Sequence, residues 1–307
     1  MAILRLMPNR DSSELVNNLK ILDPDLDIRV WPSVGDKNDI KFTVVWNHPE
    51  GELLKFPNLK VIASYGAGID HILKDRYFHE NVNVTRFIDK NLIDEMKEFI
   101  LSIILDHKLS LKDYFQDKAG KRWNPKRRNE GKNVGILGLG NLGSEVALNL
   151  KRIGFEIFGW SLTAKNIEGV NCYSGEDQLE LLLPKVDYLI CLLPLTNKTE
   201  NILNYKLFSK MKKGAYLINA GRGHQLVEED LIQALDENVL SGACLDVFRE
   251  EPLAEDHIFW DHPKIFITPN IASITNPKSV AKQIFDNYKR FNRGEPLLNL
   301  VNLSHGY

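Results

Sequence analysis

Short apolar runs alternate with amphipathic or turn-rich segments along most of the chain, which is typical of a parallel α/β sheet. The first part predicts strands at residues 3–6, 28–31, 42–46, 59–64 and 82–87. A helix at 12–21 and a turn-rich segment at 51–56 separate some of these strands. The later part predicts strands at residues 134–137, 155–160, 188–193, 215–219, 243–247 and 265–268. Helices are predicted among and after them at residues 142–153, 176–183, 205–211, 228–237 and 277–293.

A long helical pattern covers residues 91–111, and we expect the chain to cross there from one domain to the next. Residues 118–132 follow as a predicted loop, with basic side chains concentrated between positions 121 and 128. A solvated loop is favoured for this run of charge, and a phosphate or partner contact is the alternative.

A glycine motif follows the predicted strand at 134–137 and opens the next helix. Gly138, Gly140 and Gly143 have the spacing G-x-G-x-x-G, which occurs in dinucleotide-binding folds in this context of strand and helix. The first glycine allows a tight turn, the second lets the backbone approach a pyrophosphate, and the third lets the helix pack closely. The amides at the helix N-terminus then face the phosphates. The order of elements favours a dinucleotide site over an ordinary turn.

A second glycine-containing turn follows the predicted strand at 59–64 and consists of Tyr65, Gly66, Ala67 and Gly68. Its backbone amides would suit a small anion such as a substrate carboxylate. Taken by itself, this fragment is more typical of an ordinary tight turn.

Polar side chains follow three later strands at the point where each strand ends: Arg222, Asp246 and Asn270. Ligands bind at the carboxyl ends of the strands in open α/β sheets, so we expect these side chains to converge beside the glycine motif. Glu251, a few residues after Asp246, could reach the same place. Arg222 offers a planar fork suited to a carboxylate. Each residue alone would be interpreted as a surface ion pair or a helix cap, but together they favour a site.

Composition narrows the class of protein. The 307 residues suffice for two domains, and 43% apolar and 26% charged residues are ordinary for a soluble protein. The net charge of −2 gives no sign of a nucleic-acid or membrane partner. The three cysteines form no C-x-x-C pair, which favours reduced thiols in the cytoplasm over a disulfide scaffold or a metal site. We recognise neither a signal peptide nor a membrane span.

Several segments carry a family resemblance. Residues 138–143, 218–223, 245–252 and 267–273 resemble the D-isomer-specific 2-hydroxyacid dehydrogenases. The region of Trp46, residues 64–70 and the pair Trp160-Ser161 resemble more narrowly the glyoxylate/hydroxypyruvate reductase A branch. The similarity extends nearly from end to end, with the motifs in family order.

This resemblance implies an α/β protein of two Rossmann-like domains with parallel sheets flanked by helices. A flavodoxin-like substrate domain, discontinuous in sequence, would comprise residues 1–97 and 277–307, and the dinucleotide-binding domain residues 98–276. The family usually pairs through its cofactor domains, which implies a homodimer. The implied activity is NAD(P)H-dependent reduction of a small 2-oxo acid of the glyoxylate or hydroxypyruvate class.

The resemblance also implies roles for individual residues. Arg222 would bind the substrate carboxylate, together with Trp46 and the amides of residues 65–68. Asp246 would hold the nicotinamide carboxamide, and Glu251 would pair with a catalytic histidine. Further cofactor contacts are implied for Asn141, Leu142, Leu193, Pro194, Ala220 and Ser273.

The catalytic histidine of the family belongs at position 270, where this chain has asparagine. Asn270 can polarise a carbonyl by hydrogen bonding, but it cannot release the proton that reduction requires, and loss of a general acid costs about 10²- to 10⁴-fold in rate. His224, His257 and His262 lie nearby in sequence and are interpreted as loop or surface residues. We therefore expect impaired or water-assisted catalysis. The alternatives are an inactive dinucleotide-binding sensor or scaffold, and a hydride transfer without a proton donor such as formate oxidation.

The end of the second strand of the dinucleotide domain bears on the choice of cofactor. NAD sites usually place an acidic residue there, but Trp160 is followed by Ser-Leu-Thr-Ala-Lys. A 2′-phosphate would meet no repulsion and could bond to Ser161, Thr163 and Lys165. The resembling branch tends to carry arginines in this loop, which Leu162 and Ala164 do not supply. NADP(H) is favoured, and NAD(H) is the alternative.

Overall fold

The computed structural model describes residues 2–8, 10–11, 13–75, 77 and 81–303, and it divides into two compact units. Unit 1 combines Met1–Lys90 with Thr275–Tyr307, and unit 2 is Asn91–Ile274. The predicted α/β class is confirmed, with two parallel sheets flanked by helices.

The sheet of unit 1 has five parallel strands in the order β2-β1-β3-β4-β5. They are β1 (Ala2–Leu6), β2 (Ile28–Val30), β3 (Ile40–Val45), β4 (Val61–Ser64) and β5 (Asn83–Thr85). Helices α1 (Ser13–Leu22) and α2 (Asp70–Leu73) follow β1 and β4. Strands β1, β3 and β4 are almost wholly buried because apolar residues fill most of their positions, as parallel strands covered on both faces require.

The sheet of unit 2 has seven parallel strands in the order β12-β11-β10-β9-β6-β7-β8. They are β6 (Asn133–Leu137), β7 (Glu156–Ser161), β8 (Asn171–Ser174), β9 (Tyr188–Cys191), β10 (Ala215–Asn219), β11 (Leu240–Leu245) and β12 (Ile265–Ile267). The helices are α3 (Lys90–Leu109), α4 (Leu111–Ala119), α5 (Asn141–Arg152), α6 (Glu176–Leu182), α7 (Tyr205–Phe208) and α8 (Glu228–Asp236).

Neighbouring residues of these strands pack into two cores, one on each face of the sheet. Leu217 and Leu245 belong to one core, whereas Ile218 and Cys244 belong to the other. Side chains alternate between the faces of a strand, so consecutive apolar residues are needed wherever both faces are covered.

A single helix, α9 (Pro277–Arg293), brings the C-terminal part of the chain into unit 1, where it packs against α1. The side chain of Asn276, just before the helix, accepts hydrogen bonds from Lys278 N (2.9 Å) and Ser279 N (3.4 Å), and Gly294, just after it, has φ +69°. These are the residue types that favour helix starts and stops.

Three details differ from the sequence prediction. The predicted helix at 91–111 ends at Leu109, because Ser110 has φ +54°, and a further helix, α4, follows that was not predicted. Strand β8 was not predicted. Unit 2 begins at Asn91, whereas the predicted boundary at residue 97 lies inside α3.

In the part of the chain that the structure describes, no helix has both the length and the apolar character to cross a bilayer.

Candidate active site

The carboxyl ends of six adjacent strands of unit 2 carry the site residues predicted for that unit. The strand pairing joins Ile267, Leu245, Asn219, Cys191, Leu137 and Trp160 in one row across the sheet. Immediately beyond this row the chain supplies Asn270, Asp246, Arg222, Leu193, the glycine motif and Ser161, in that order along the edge. The fold thus brings to one edge of one sheet residues that are far apart in sequence.

The glycine motif fits the pyrophosphate of a dinucleotide. Gly138 has φ +107°, and a Cβ there would lie 2.8 Å from the carbonyl oxygen of Leu192. A Cβ at Gly143 would lie 1.8 Å from Gly138 O, so only glycine permits this approach of helix to loop. No atom lies within 4 Å of the position of a Cβ at Gly140, just before α5 begins at Asn141. This open space at a helix N-terminus is what a phosphate group requires.

The end of β7 carries the residues that were predicted to bind a 2′-phosphate. Thr163 and Lys165 are exposed, and no carboxylate occurs before Glu168. The hydroxyl of Ser161 is buried and donates its hydrogen bond to Thr163 O at 2.7 Å. A hydroxyl has one hydrogen to donate, so Ser161 holds the loop in place and in this arrangement does not donate to a phosphate oxygen.

Gln225 is a residue of this edge that the sequence analysis missed. It is fully buried, and its Oε1 accepts a hydrogen bond from Arg222 N at 2.9 Å. Its Nε2 donates to the carbonyl oxygens of Leu193 (2.8 Å) and Pro194 (3.2 Å). One amide therefore ties the Arg222 loop to the turn after β9. The sequence signal for a buried role of Gln225 was only that this polar residue directly precedes the apolar residues 226–227.

The loop that carries Arg222 is also packed against the turn after β11. A Cβ at Gly223 would lie 1.9 Å from the carbonyl carbon of Phe248. The guanidinium of Arg222 is half-buried, and its Nη1 donates to Gly221 O at 2.9 Å. These contacts restrict the positions that the guanidinium can take.

Glu251 and Asn270 form a hydrogen-bonded pair, at the two positions where the family resemblance implies a glutamate paired with a histidine. Glu251 Oε1 accepts from Phe248 N (3.1 Å), and Oε2 accepts from Asn270 Nδ2 (2.9 Å). Asn270 has φ +54°, a conformation that asparagine adopts more readily than most residues. A carboxylate only accepts hydrogen bonds, so the NH₂ group of Asn270 faces Glu251 and its Oδ1 is turned away.

Asp246 organises the turn that carries Asn270. It is 1% exposed, and its Oδ1 accepts from Thr268 Oγ1 (2.7 Å) and Ile271 N (2.9 Å). Oδ2 accepts from Ala272 N at 2.9 Å. Burial raises the pKa of Asp246, and these hydrogen bonds oppose the shift. Its role toward a nicotinamide stays a prediction.

Among the described residues, no hydrogen bond joins a nearby histidine to Glu251 or Asn270, so none of these histidines takes the place of the catalytic histidine expected at position 270. His257 Nε2 lies 3.3 Å from Glu228 Oε2, and His262 Nε2 lies 3.5 Å from Asp236 Oδ1. Ser273, predicted to contact the cofactor, donates its hydroxyl to Leu92 O at 2.9 Å. Over the described ranges, no group of His, Cys, Asp and Glu side chains could hold a metal ion.

In unit 1, Trp46 and the turn at 65–68 lie together after β3 and β4. The ring of Trp46 covers Gly66 so closely that a Cβ there would be 2.6 Å from it. The amide of Tyr65 donates to Val45 O (3.0 Å), so the prediction that this amide binds the substrate is wrong. Gly66 N lies 3.4 Å from Ser64 Oγ. Ala67 N and Gly68 N have no acceptor among the described residues, and they remain the amides suited to an anion.

Comparison with known proteins places this arrangement in a family. The family model of the D-isomer specific 2-hydroxyacid dehydrogenase, NAD binding domain, matches residues 101–272. Glyoxylate/hydroxypyruvate reductase A of Photorhabdus laumondii is 37% identical over 314 residues, covering 100% of both chains.

Solved structures agree with this result. The D-isomer specific 2-hydroxyacid dehydrogenase from Xanthobacter autotrophicus Py2 in complex with NADPH and MES is 34% identical, with a TM-score of 0.92 over 100% of this chain and 99% of that one. The NADPH-dependent glyoxylate/hydroxypyruvate reductase from Sinorhizobium meliloti, in complex with NADP and sulfate, is 32% identical with the same TM-score and coverage. The family resemblance of the sequence motifs is thereby confirmed, and the chain belongs to the D-isomer-specific 2-hydroxyacid dehydrogenase family, in its glyoxylate/hydroxypyruvate reductase A branch.

Proposed function

We propose that this protein reduces a small 2-oxo acid of the glyoxylate or hydroxypyruvate class to the 2-hydroxy acid, with NADPH as the reductant. The observation that carries the proposal is the single row of strand ends, which aligns Asn270, Asp246 and Arg222 with the glycine motif. The similar Sinorhizobium meliloti enzyme is described as NADPH-dependent and as a complex with NADP, which supports the choice of cofactor.

Binding of the substrate is assigned to cationic and amide groups. The fork of Arg222 suits the two oxygens of a carboxylate and would orient the neighbouring carbonyl. From unit 1 we assign Trp46 and the amides of Ala67 and Gly68 to substrate binding.

Binding of the cofactor is assigned to the glycine motif and to the loop after β7. The amides at the start of α5 would hold the pyrophosphate, and the absence of an acidic residue at 161–167 favours NADPH over NADH. When bound, the cofactor supplies the hydride.

Asn270 determines where the carbonyl oxygen obtains its proton. Its NH₂ group donates to Glu251, and an amide releases no proton, so the proton for the carbonyl oxygen must come from water. We expect turnover about 10²- to 10⁴-fold below that of a site with a positioned general acid. This same residue favours a second candidate function, a dinucleotide-binding sensor without catalysis.

The test follows the absorbance of the reduced nicotinamide with glyoxylate and hydroxypyruvate, using NADPH and NADH in parallel. We expect consumption of NADPH, faster turnover in Asn270→His, and a higher KM in Arg222→Lys because lysine lacks the planar fork. If the wild type and Asn270→His both bind NADPH and neither oxidises it, the sensor function is supported instead. Failure to bind either nucleotide would exclude both functions.

We also propose that the protein is a cytoplasmic homodimer. The family resemblance supports the dimer, and the free thiols of Cys172, Cys191 and Cys244 support a reducing compartment. Sedimentation equilibrium measures the oligomeric state, and fractionation of the source cells tests the cytoplasmic location.

A further inference from the structure

The direction of the Asn270 amide gives the site a chemical preference. Its NH₂ group donates to Glu251 Oε2 at 2.9 Å, so the carboxylate fixes which end of the amide faces away. Beyond Glu251, Asn270 therefore presents an acceptor oxygen, Oδ1, with a carboxylate charge behind it. Both side chains are exposed, so a ligand can reach this oxygen.

A carbonyl and a protonated imine make opposite demands on such a group. The oxygen of a 2-oxo acid needs a hydrogen-bond donor, and it needs a proton once the hydride has arrived. The nitrogen of a protonated imine already carries hydrogen, needs acceptors, and bears a positive charge that a nearby carboxylate stabilises.

We propose that this site also reduces 2-imino acids in their protonated form, which arise in water from a 2-oxo acid and ammonia or a primary amine. Asn270 Oδ1 accepts the hydrogen bond of the imine N–H, and Glu251 supplies the compensating charge. The inference rests on the proposed function for two things only, the NADPH site and the binding of the substrate carboxylate.

The step balances without a proton donor from the protein. The hydride of NADPH forms a C–H bond at the imine carbon, and the π electrons of the C=N bond become the lone pair of an amine nitrogen. The carbon is reduced, NADPH becomes NADP⁺, and the amine takes its last proton from water after the transfer. The same addition to a carbonyl would leave an alkoxide, which is why a 2-oxo acid requires a general acid and an imine does not.

A histidine at position 270 would reverse this preference. Paired with Glu251, a protonated imidazole supplies the proton that the carbonyl needs, but it repels a cationic imine. Asn270→His is thus the variant that exchanges one substrate class for the other.

The experiment uses the full chain with NADPH and glyoxylate, with and without excess methylamine, and measures NADPH oxidation together with N-methylglycine by mass spectrometry. An enzyme-free reaction gives the background. We expect N-methylglycine from the wild type, and a ratio of imine to oxo-acid turnover about 10²-fold or more above that of Asn270→His, which gains the general acid for the oxo acid. In Glu251→Gln the neutral side chain can donate to Oδ1 and let the amide turn, so this ratio should fall.

Binding provides a readout that does not depend on turnover. With NADP⁺ present, calorimetry should show N-methylglycine competing better against glycolate in the wild type than in Asn270→His. Reduction of glyoxylate without any N-methylglycine, or ratios equal in the three proteins, would overturn this inference and leave the proposed function intact. Failure of the wild type to oxidise NADPH with either substrate would overturn both.

Discussion

Gln225 offers the sharpest test of how the edge of the unit 2 sheet is held together. Replacing it with leucine keeps most of its volume and removes the amide. Arg222 N and Leu193 O then lose their partner, whereas Pro194 O keeps the hydrogen bond from Thr199 Oγ1 at 2.6 Å. One buried backbone group, Leu193 O, and one half-buried group, Arg222 N, are left unpaired.

The expected cost follows from those two groups. An unpaired buried donor or acceptor costs about 1–3 kcal/mol, and the half-buried Arg222 N adds less, so Gln225→Leu should lower the free energy of unfolding by roughly 1–4 kcal/mol. Because Arg222 and Leu193 are also candidate ligand-binding residues, we expect a higher KM for the 2-oxo acid and weaker binding of NADPH.

Gln225→Glu is the matched variant, since it keeps the acceptor for Arg222 N but turns a second oxygen toward the carbonyls of Leu193 and Pro194. Only a protonated carboxyl can donate there, so the pKa of the new residue is raised in the folded state above its unfolded value of about 4.3. A raised folded pKa means that stability is greatest at low pH and is lost as the pH rises toward the folded value.

Urea unfolding of both variants and the wild type from about pH 5 to 8 measures these effects. Gln225→Glu should lose stability relative to the wild type as the pH increases, and Gln225→Leu should show a constant deficit. An unfolding free energy of Gln225→Leu within about 0.5 kcal/mol of the wild type would refute the reasoning, because surface substitutions have effects of that size.

Three further predictions concern separate parts of the chain. Gly66→Ala places a Cβ 2.6 Å from the ring of Trp46 and should displace it, raising the KM for the 2-oxo acid while the Kd of NADPH, measured by fluorescence titration, stays constant. Ala164→Arg adds a guanidinium to an exposed loop position and should lower the Kd of NADPH by roughly ten-fold without improving that of NADH, which lacks the 2′-phosphate. Burial lowers the pKa of His107 to about 4, so on acidification the unfolded chain binds a proton at this histidine before the folded chain does. The free energy of unfolding should therefore fall as the pH drops from about 6.5 toward 4, and this pH-dependent loss should be absent from urea unfolding of His107→Gln.

Most strands of both units could be predicted because parallel strands covered on two faces must be apolar at consecutive positions. Strand β8 escaped prediction because it lies at the edge of the sheet, where Asn171 is exposed and the following three residues are half-buried. Helix α4 also escaped prediction, because its apolar residues Leu111, Tyr114 and Phe115 are exposed and form no buried face.

The location of the candidate site could be predicted from the sequence. Which of its hydrogen-bond donors are free to bind a ligand could not. Parallel strands end at one edge, so Arg222, Asp246 and Asn270 were expected together. Whether a donor is available depends on what the fold places beside it: the hydroxyl of Ser161 is taken by Thr163 O, and the amide of Tyr65 by Val45 O.

The structure gives the orientation of the Asn270 amide, which a family motif does not contain. An asparagine amide can face a substrate with its oxygen or with its nitrogen, and the two orientations suit opposite partners. Glu251 accepts from Nδ2, and its other oxygen is held by Phe248 N, so the carboxylate keeps its place and orients the amide. The substrate preference of this site is therefore a property of the Asn270–Glu251 pair, and changing Glu251 should alter it as surely as changing Asn270.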